Sequence, residues 1–262
     1  MKRPSPAFSR IAYSSLVYLF FYIPIAVLIV YSFNNSTYSM LWHGFTWAWY
    51  QQLWQDSDLI SAAVNSLIIG VLASTFAAII GTLAAVSLYR YRFMGKNLLH
   101  ALLFILIVSP DIVMGTSLLV LYNVLHFALG FWSLLLAHIT FCIPFVAVTV
   151  YSRITSIDKN IFEAAKDLGA NDFIIFMRVI VPLLFPAILA GWLLSFTLSI
   201  DDVIISYFVT GPSFQILPLD IYSMVRLGVN PEINALSAVL FSLTLLLVGI
   251  SQFVMRKKPQ VS

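Results

Sequence analysis

Three carboxylates, Asp111, Asp201 and Asp202, stand inside long apolar stretches that contain no lysine or arginine. A carboxylate at the centre of a bilayer costs about 2.5–3.5 kcal/mol on insertion scales, so each must face a cavity or a partner. Without an internal cation, the partner is a positively charged substrate, a neighbouring subunit's cation, or water. Spaced carboxylates with aromatic walls suit a flexible chain of ammonium groups: the acids match the charges, and the rings match both cation and methylene stem. Ser199 can add a hydroxyl acceptor, and Trp49 a cation–π surface on the translocation path. Each also has a plainer reading. Asp111 follows Pro110, which breaks a helical hydrogen-bond ladder, and can simply cap the half-helix beyond it. Asp201 and Asp202 can form a packing pair; adjacent helical residues point about 100° apart, so one contacts substrate and the other locks packing unless the helix is distorted. Trp49 can belong to an interfacial helix, and His138 to a helix–helix hydrogen bond. No cluster has metal-ligand spacing, so neither a metal nor another cofactor is expected.

A second chemistry-bearing segment is the loop 152–182, where solid apolar sequence gives way to an amphipathic pattern. Asp158 can accept from the free N–H groups that begin a helix. Ile161, Ala165 and Leu168 recur at helical spacing and should form its apolar face. Gly169 suits the left-handed residue that ends a helix, Asn171 can start the next, and Pro182 marks entry to the following span. A helix resting on lipid headgroups would be rich in Lys and Arg on its polar face. Here Asp158, Glu163, Asp167 and Asp172 offset Arg153, Lys159, Lys166 and Arg178, so a protein groove fits better than an anionic lipid surface.

The elements that must position these residues are membrane helices. The chain has 262 residues, is 61% hydrophobic and only 10% charged, and has a mean hydropathy of +0.96. Those values exclude an ordinary soluble domain. A spanning helix needs roughly 20 mostly apolar residues. Six stretches qualify: Ile11–Phe33, Ile60–Tyr89, Leu98–Leu125, Phe131–Tyr151, Leu183–Val209 and Ile233–Met255. No segment shows the alternation of a membrane β-strand, so the expected fold is all-α, one transmembrane domain over residues 1–262. All but Arg226 of the 14 Lys and Arg fall on one side of these spans, which puts both termini in the cytoplasm. The +3 net charge reflects that asymmetry and gives no reason to expect nucleic acid. The first span is too long for a cleaved signal, and the single Cys142 excludes an internal disulfide.

Glu163-Ala164-Ala165 with Gly169 and Pro182, between the fourth and fifth of six spans, resembles the EAA loop of binding-protein-dependent ABC importer permeases. The usual Ile-x-Leu-Pro ending is replaced by Val179-Ile180-Val181-Pro182, a conservative departure. Gly44-Phe45-Thr46 through Trp49-Tyr50, Ser109 to Val113, Ser195 to Asp202 and Phe208 to Pro212 are similar to the polyamine (spermidine/putrescine) permeases of that family. The resemblance implies a type I (MetI-like) permease of the bacterial inner membrane that moves polyamines by alternating access. It implies as partners a cytoplasmic ATPase dimer, a second homologous permease subunit and an extracytoplasmic binding protein. Glu163, Ala164, Ala165 and Gly169 would be its docking residues for the ATPase. The chain has no G-x-x-x-x-G-K-[ST] motif, so no catalytic residues are expected in it and ATP hydrolysis must be borrowed. Another cationic cargo, or an ion-coupled carrier that uses the buried acids without an ATPase, are the competing readings.

Overall fold

The structure, a computed structural model, describes residues 6–36, 41–158, 160–227 and 231–256; Lys2, Arg3, Lys159, Lys257 and Lys258 lie outside them. It is all-helical, with one isolated bridge, Asn34 to Phe45, among the described residues. The chain divides into two compact units, residues 1–60 with 221–262, and residues 61–220.

In the first unit, helix α1 (Pro6–Tyr31) and α2 (Ala48–Gln55) pack on α12 (Pro231–Arg256). The turn after α1 is held by side chains. Asn34 is buried, its amide donates to Leu41 O at 2.9 Å, and its Oδ1 accepts from His43 N at 2.7 Å. Phe33 stacks on Phe45 and Tyr50, which keeps this loop compact on apolar contact as well as hydrogen bonds.

The second unit is built around α6 (Phe131–Ile154). Its Leu134, Val146, Val150 and Ile154 are fully buried, and α9 (Val181–Asp201) packs along it. Close approach depends on small residues, as in most membrane helix pairs. A methyl group on Gly81 of α3 (Ser57–Arg90) would meet Val146 at 2.8 Å, and one on Gly191 of α9 would meet the same residue's backbone at 3.2 Å. Three helices thus converge on Val146.

Two of the expected spans are broken. Leu98–Leu125 is not one helix: α4 (Lys96–Val108) ends at Ser109, α5 (Asp111–Val124) begins after Pro110, and the pair is bent by 116°. Proline removes a donor and forces the preceding residue into an extended conformation, which Ser109 adopts at φ −64°, ψ 131°. Leu183–Val209 likewise divides into α9 and α10 (Ile204–Val209), with Asp202 extended at φ −71°, ψ 124°. Among the described residues, four helices are long and apolar enough to cross a membrane, or five if the bent pair counts as one span.

Between α6 and α9 lie α7 (Asn160–Asp167), α8 (Asp172–Ile175) and a π-helical turn (Phe176–Ile180), and α11 (Leu217–Leu227) follows α10. Gly169 has φ +83°. The N–H of Ala170 bonds to Ala165 O at 3.1 Å and that of Gly169 to Lys166 O at 2.8 Å, the paired bonds of a glycine-terminated helix. Asn171 Oδ1 then accepts from Ile174 N at 2.8 Å to start α8.

Candidate functional site

The breaks in the third and fifth apolar stretches open onto one cleft of about 360 Å³ in the second unit. Asp111, Asp201 and Asp202 all line it, together with Ser109, Phe141, Phe145 and aliphatic side chains from α4, α5 and α9. No lysine or arginine is among the lining residues. Asp111 is the first residue of α5 and Asp201 the last of α9, and both are exposed to the opening. The 100° divergence expected of neighbouring helical residues does not keep Asp201 and Asp202 apart, because the helix stops between them.

The two neighbours are nevertheless used differently. Asp202 has only 7% of its side chain exposed. Its Oδ1 accepts from Ile205 N at 3.2 Å, and its Oδ2 accepts from Ser206 N at 2.8 Å and from Ser206 Oγ at 2.7 Å. It therefore caps α10, satisfying donors that a helix start leaves open. Asp201 makes no such bond and is the more available charge. A cleft with an exposed carboxylate on each side and phenyl rings one helical turn apart on α6 can hold a cation and its methylene chain.

Two sequence-derived members stand elsewhere. Ser199 is buried and bonded to His138 Nδ1 at 2.7 Å, and it does not line the cleft. The expected hydroxyl acceptor is thus consumed inside the helix packing, because Ser199 faces α6 and not the opening. Trp49 lies in the first unit, where its indole N–H donates to Asn34 O at 2.9 Å and pins the loop after α1. Phe141 and Phe145 went unnamed in the sequence; their i, i+4 spacing beside Pro144 was the available signal. Ser206 was also overlooked, although it stands four residues after Asp202.

In the loop 152–182, Glu163, Ala164 and Gly169 are exposed and Ala165 is half-buried. The apolar face differs from the expected one. Phe162 and Ala165 pack inward, Phe162 against Tyr89, whereas Leu168 is 89% exposed. Ile161 is exposed as well, and Leu168 closes α7 just before Gly169 reverses the chain, so of the expected face only Ala165 turns inward. Leu168, Phe173 and Met177 together present apolar surface beside the acidic and basic side chains of the loop. Arg90 at the end of α3 pairs with Asp172, which fastens α8 to the C-terminal end of that long helix.

Residues 77–258 match a family model described as "Binding-protein-dependent transport system inner membrane component". The chain is 55% identical over 249 residues to the "Spermidine/putrescine transport system permease protein PotC" of Escherichia coli (strain K12), covering 95% of this chain and 94% of that protein. It is 43% identical to the "Putrescine transport system permease protein PotI" of the same strain, over 94% and 88% of the two chains. Among solved structures, a chain of a bacterial ABC transporter involved in import of the acidic polysaccharide alginate superposes with a TM-score of 0.73 at 18% identity, covering 99% of each chain. A chain of the MetNI methionine ABC transporter in an inward-facing conformation gives 0.63 at 17% identity, over 78% of this chain and 96% of that one. At those identities the superpositions establish the fold alone.

Proposed function

The chain belongs to the family of binding-protein-dependent transport system inner membrane components, and from that premise we propose that it carries polyamines, spermidine or putrescine, into the cytoplasm. The observation that carries the reading is the cleft at the two helix breaks, lined by Asp111 and Asp201 with aromatic neighbours and no cation. An ammonium group entering it would gain charge-assisted contacts and a ring face while Asp202 holds the break in shape. The names of the two relatives point to the same class of cargo.

The proposal extends to the whole assembly. The chain forms one membrane domain with six spans, α12 supplying the last and α4–α5 a bent third, and with both termini in the cytoplasm. A dimer of ATPase subunits docks on Glu163, Ala164, Ala165 and Gly169, and a second, homologous permease subunit faces this one across the pathway. An extracytoplasmic binding protein delivers the cargo. The exposed α7 and the apolar surface at Leu168, Phe173 and Met177 support a protein partner at the loop. Force entering there reaches α9 through the continuous run from Asp172 to Asp201, at whose outer end Asp201 stands. Hydrolysis-driven movement of the loop would thereby alternate the access of the cleft.

The test is ATP-dependent uptake of labelled spermidine by vesicles that hold the purified complete transporter, with unlabelled putrescine, thiamine and alginate oligomers as competitors. Uptake that needs ATP and yields only to polyamines is expected. Uptake that continues without ATP, or that thiamine blocks equally, would overturn the reading.

A further inference from the structure

His138 of α6 has no exposed surface, yet it reaches both sides of the break between α9 and α10. Its Nδ1 lies 2.7 Å from Ser199 Oγ on α9, and its Nε2 lies 2.9 Å from Ser206 Oγ on α10. The Nε2 to Asp202 Oδ2 distance is 3.5 Å. The direction of each bond follows from counting protons. Ser206 Oγ donates its only proton to Asp202 Oδ2, so it must accept from His138, and the ring proton sits on Nε2. In the tautomer that leaves Nδ1 unprotonated, Nδ1 accepts a hydrogen bond from the Ser199 hydroxyl. Ser199, His138, Ser206 and Asp202 form a single relay in which every donor points toward the carboxylate and each ring nitrogen and hydroxyl has a partner.

We propose that His138 is a positioning residue for the cation site: by bracing Ser199 and Ser206 it sets the angle of the break, and hence where Asp201 stands in the cleft. His138 does not line the cleft itself, so it acts through that neighbour. An unbroken α9 would send Asp201 and Asp202 about 100° apart; the braced break lets both line one opening. A ring with a hydrogen-bonding nitrogen on each side can span two hydroxyls on separate helices in this way. The inference rests on reading the cleft as the place where the cargo's charge is met.

Spermidine uptake by vesicles holding the complete transporter, measured against concentration, tests it. His138→Ala should raise KM about fivefold, the scale of one interhelical hydrogen bond in a membrane, with an unchanged maximal rate per assembled complex. In an Asp201→Asn background the same substitution should have no effect on KM, because there is no longer a charge to misplace. An unchanged KM, or the same rise on top of Asp201→Asn, would overturn the proposal. Where His138→Ala fails to assemble, Ser199→Ala removes only the Nδ1 link and is read in the same way. A second measurement does not depend on the cargo. Cys142 is fully buried and is the chain's one cysteine, so Asp201→Cys adds a single accessible thiol. Its reaction rate with a cationic thiosulfonate reagent should change about fivefold on adding His138→Ala; an identical rate would refute the bracing role. If the wild type carries no spermidine, the polyamine reading falls, and the thiol measurement still decides the role of His138.

Discussion

Asp201 and Asp202 are adjacent acids with opposite duties, and substitution should separate them. Asp202 accepts two backbone N–H bonds and one hydroxyl at the start of α10, and its removal strands those donors. Asp202→Asn should therefore lower stability by about 1–3 kcal/mol, read as a lower melting temperature and less assembled complex. Asp201→Asn should leave melting unchanged and raise the KM for spermidine about tenfold or more, the scale of one contact to a charged group. Equal loss of assembly in both variants would contradict this division. The sequence showed that both acids lie in an apolar run and that one of them locks packing, but not which one. Burial decided it: a carboxylate at a helix break can reach the free N–H groups ahead of it, and only the residue beyond the break is placed to do so. Ser199 shows the limit from the other side, since a serine one turn away from the acids looked available and is turned into α6 by its bond to His138.

At the scale of elements, the two breaks had unequal signals. Pro110 advertised the first, because proline cannot continue a hydrogen-bond ladder. The second carries neither proline nor glycine; it rests on Asp202 and the buried relay behind it, tertiary contacts that leave no local pattern. The end of α7 was legible for the opposite reason: Gly169 at φ +83° is a backbone requirement that one residue type meets without strain. Its apolar face was half-read. Ala165 packs inward as expected, but Phe162 is the anchor and Leu168 points away. Phe162→Ala should loosen α7 by about 2 kcal/mol, since its ring is only partly buried, and make the loop sensitive to limited proteolysis. Leu168→Asp should leave proteolysis unchanged while lowering spermidine-stimulated ATPase activity severalfold. If the two variants behave alike, Leu168 is a packing residue after all.

For the molecule as a whole, composition announced an all-helical membrane chain, and the placement of the charges led to the orientation proposed above. The count of spans was harder, because apolar content continues smoothly through a bend. Leu98 to Leu125 reads as one stretch and folds as two helices turned through 116°. Orientation can be checked with the exposed positions Trp54, Met94 and Leu168. In intact cells an impermeant thiol reagent should label Trp54→Cys and spare Met94→Cys and Leu168→Cys, which should react once the membrane is opened. Labelling of Met94→Cys from outside would reverse the assigned topology.

The π-helical turn at Phe176–Ile180 joins α8 to α9. Such a turn holds one residue more than an α-helical register needs. Each residue of an α-helix is worth about 100° of rotation, so excising one from α9 itself would swing the loop around its axis, whereas the surplus residue of this turn can be lost with both flanking faces still in register. The turn is therefore slack at the joint of this machine's handle: a length change there is absorbed, and the same change one turn later is not.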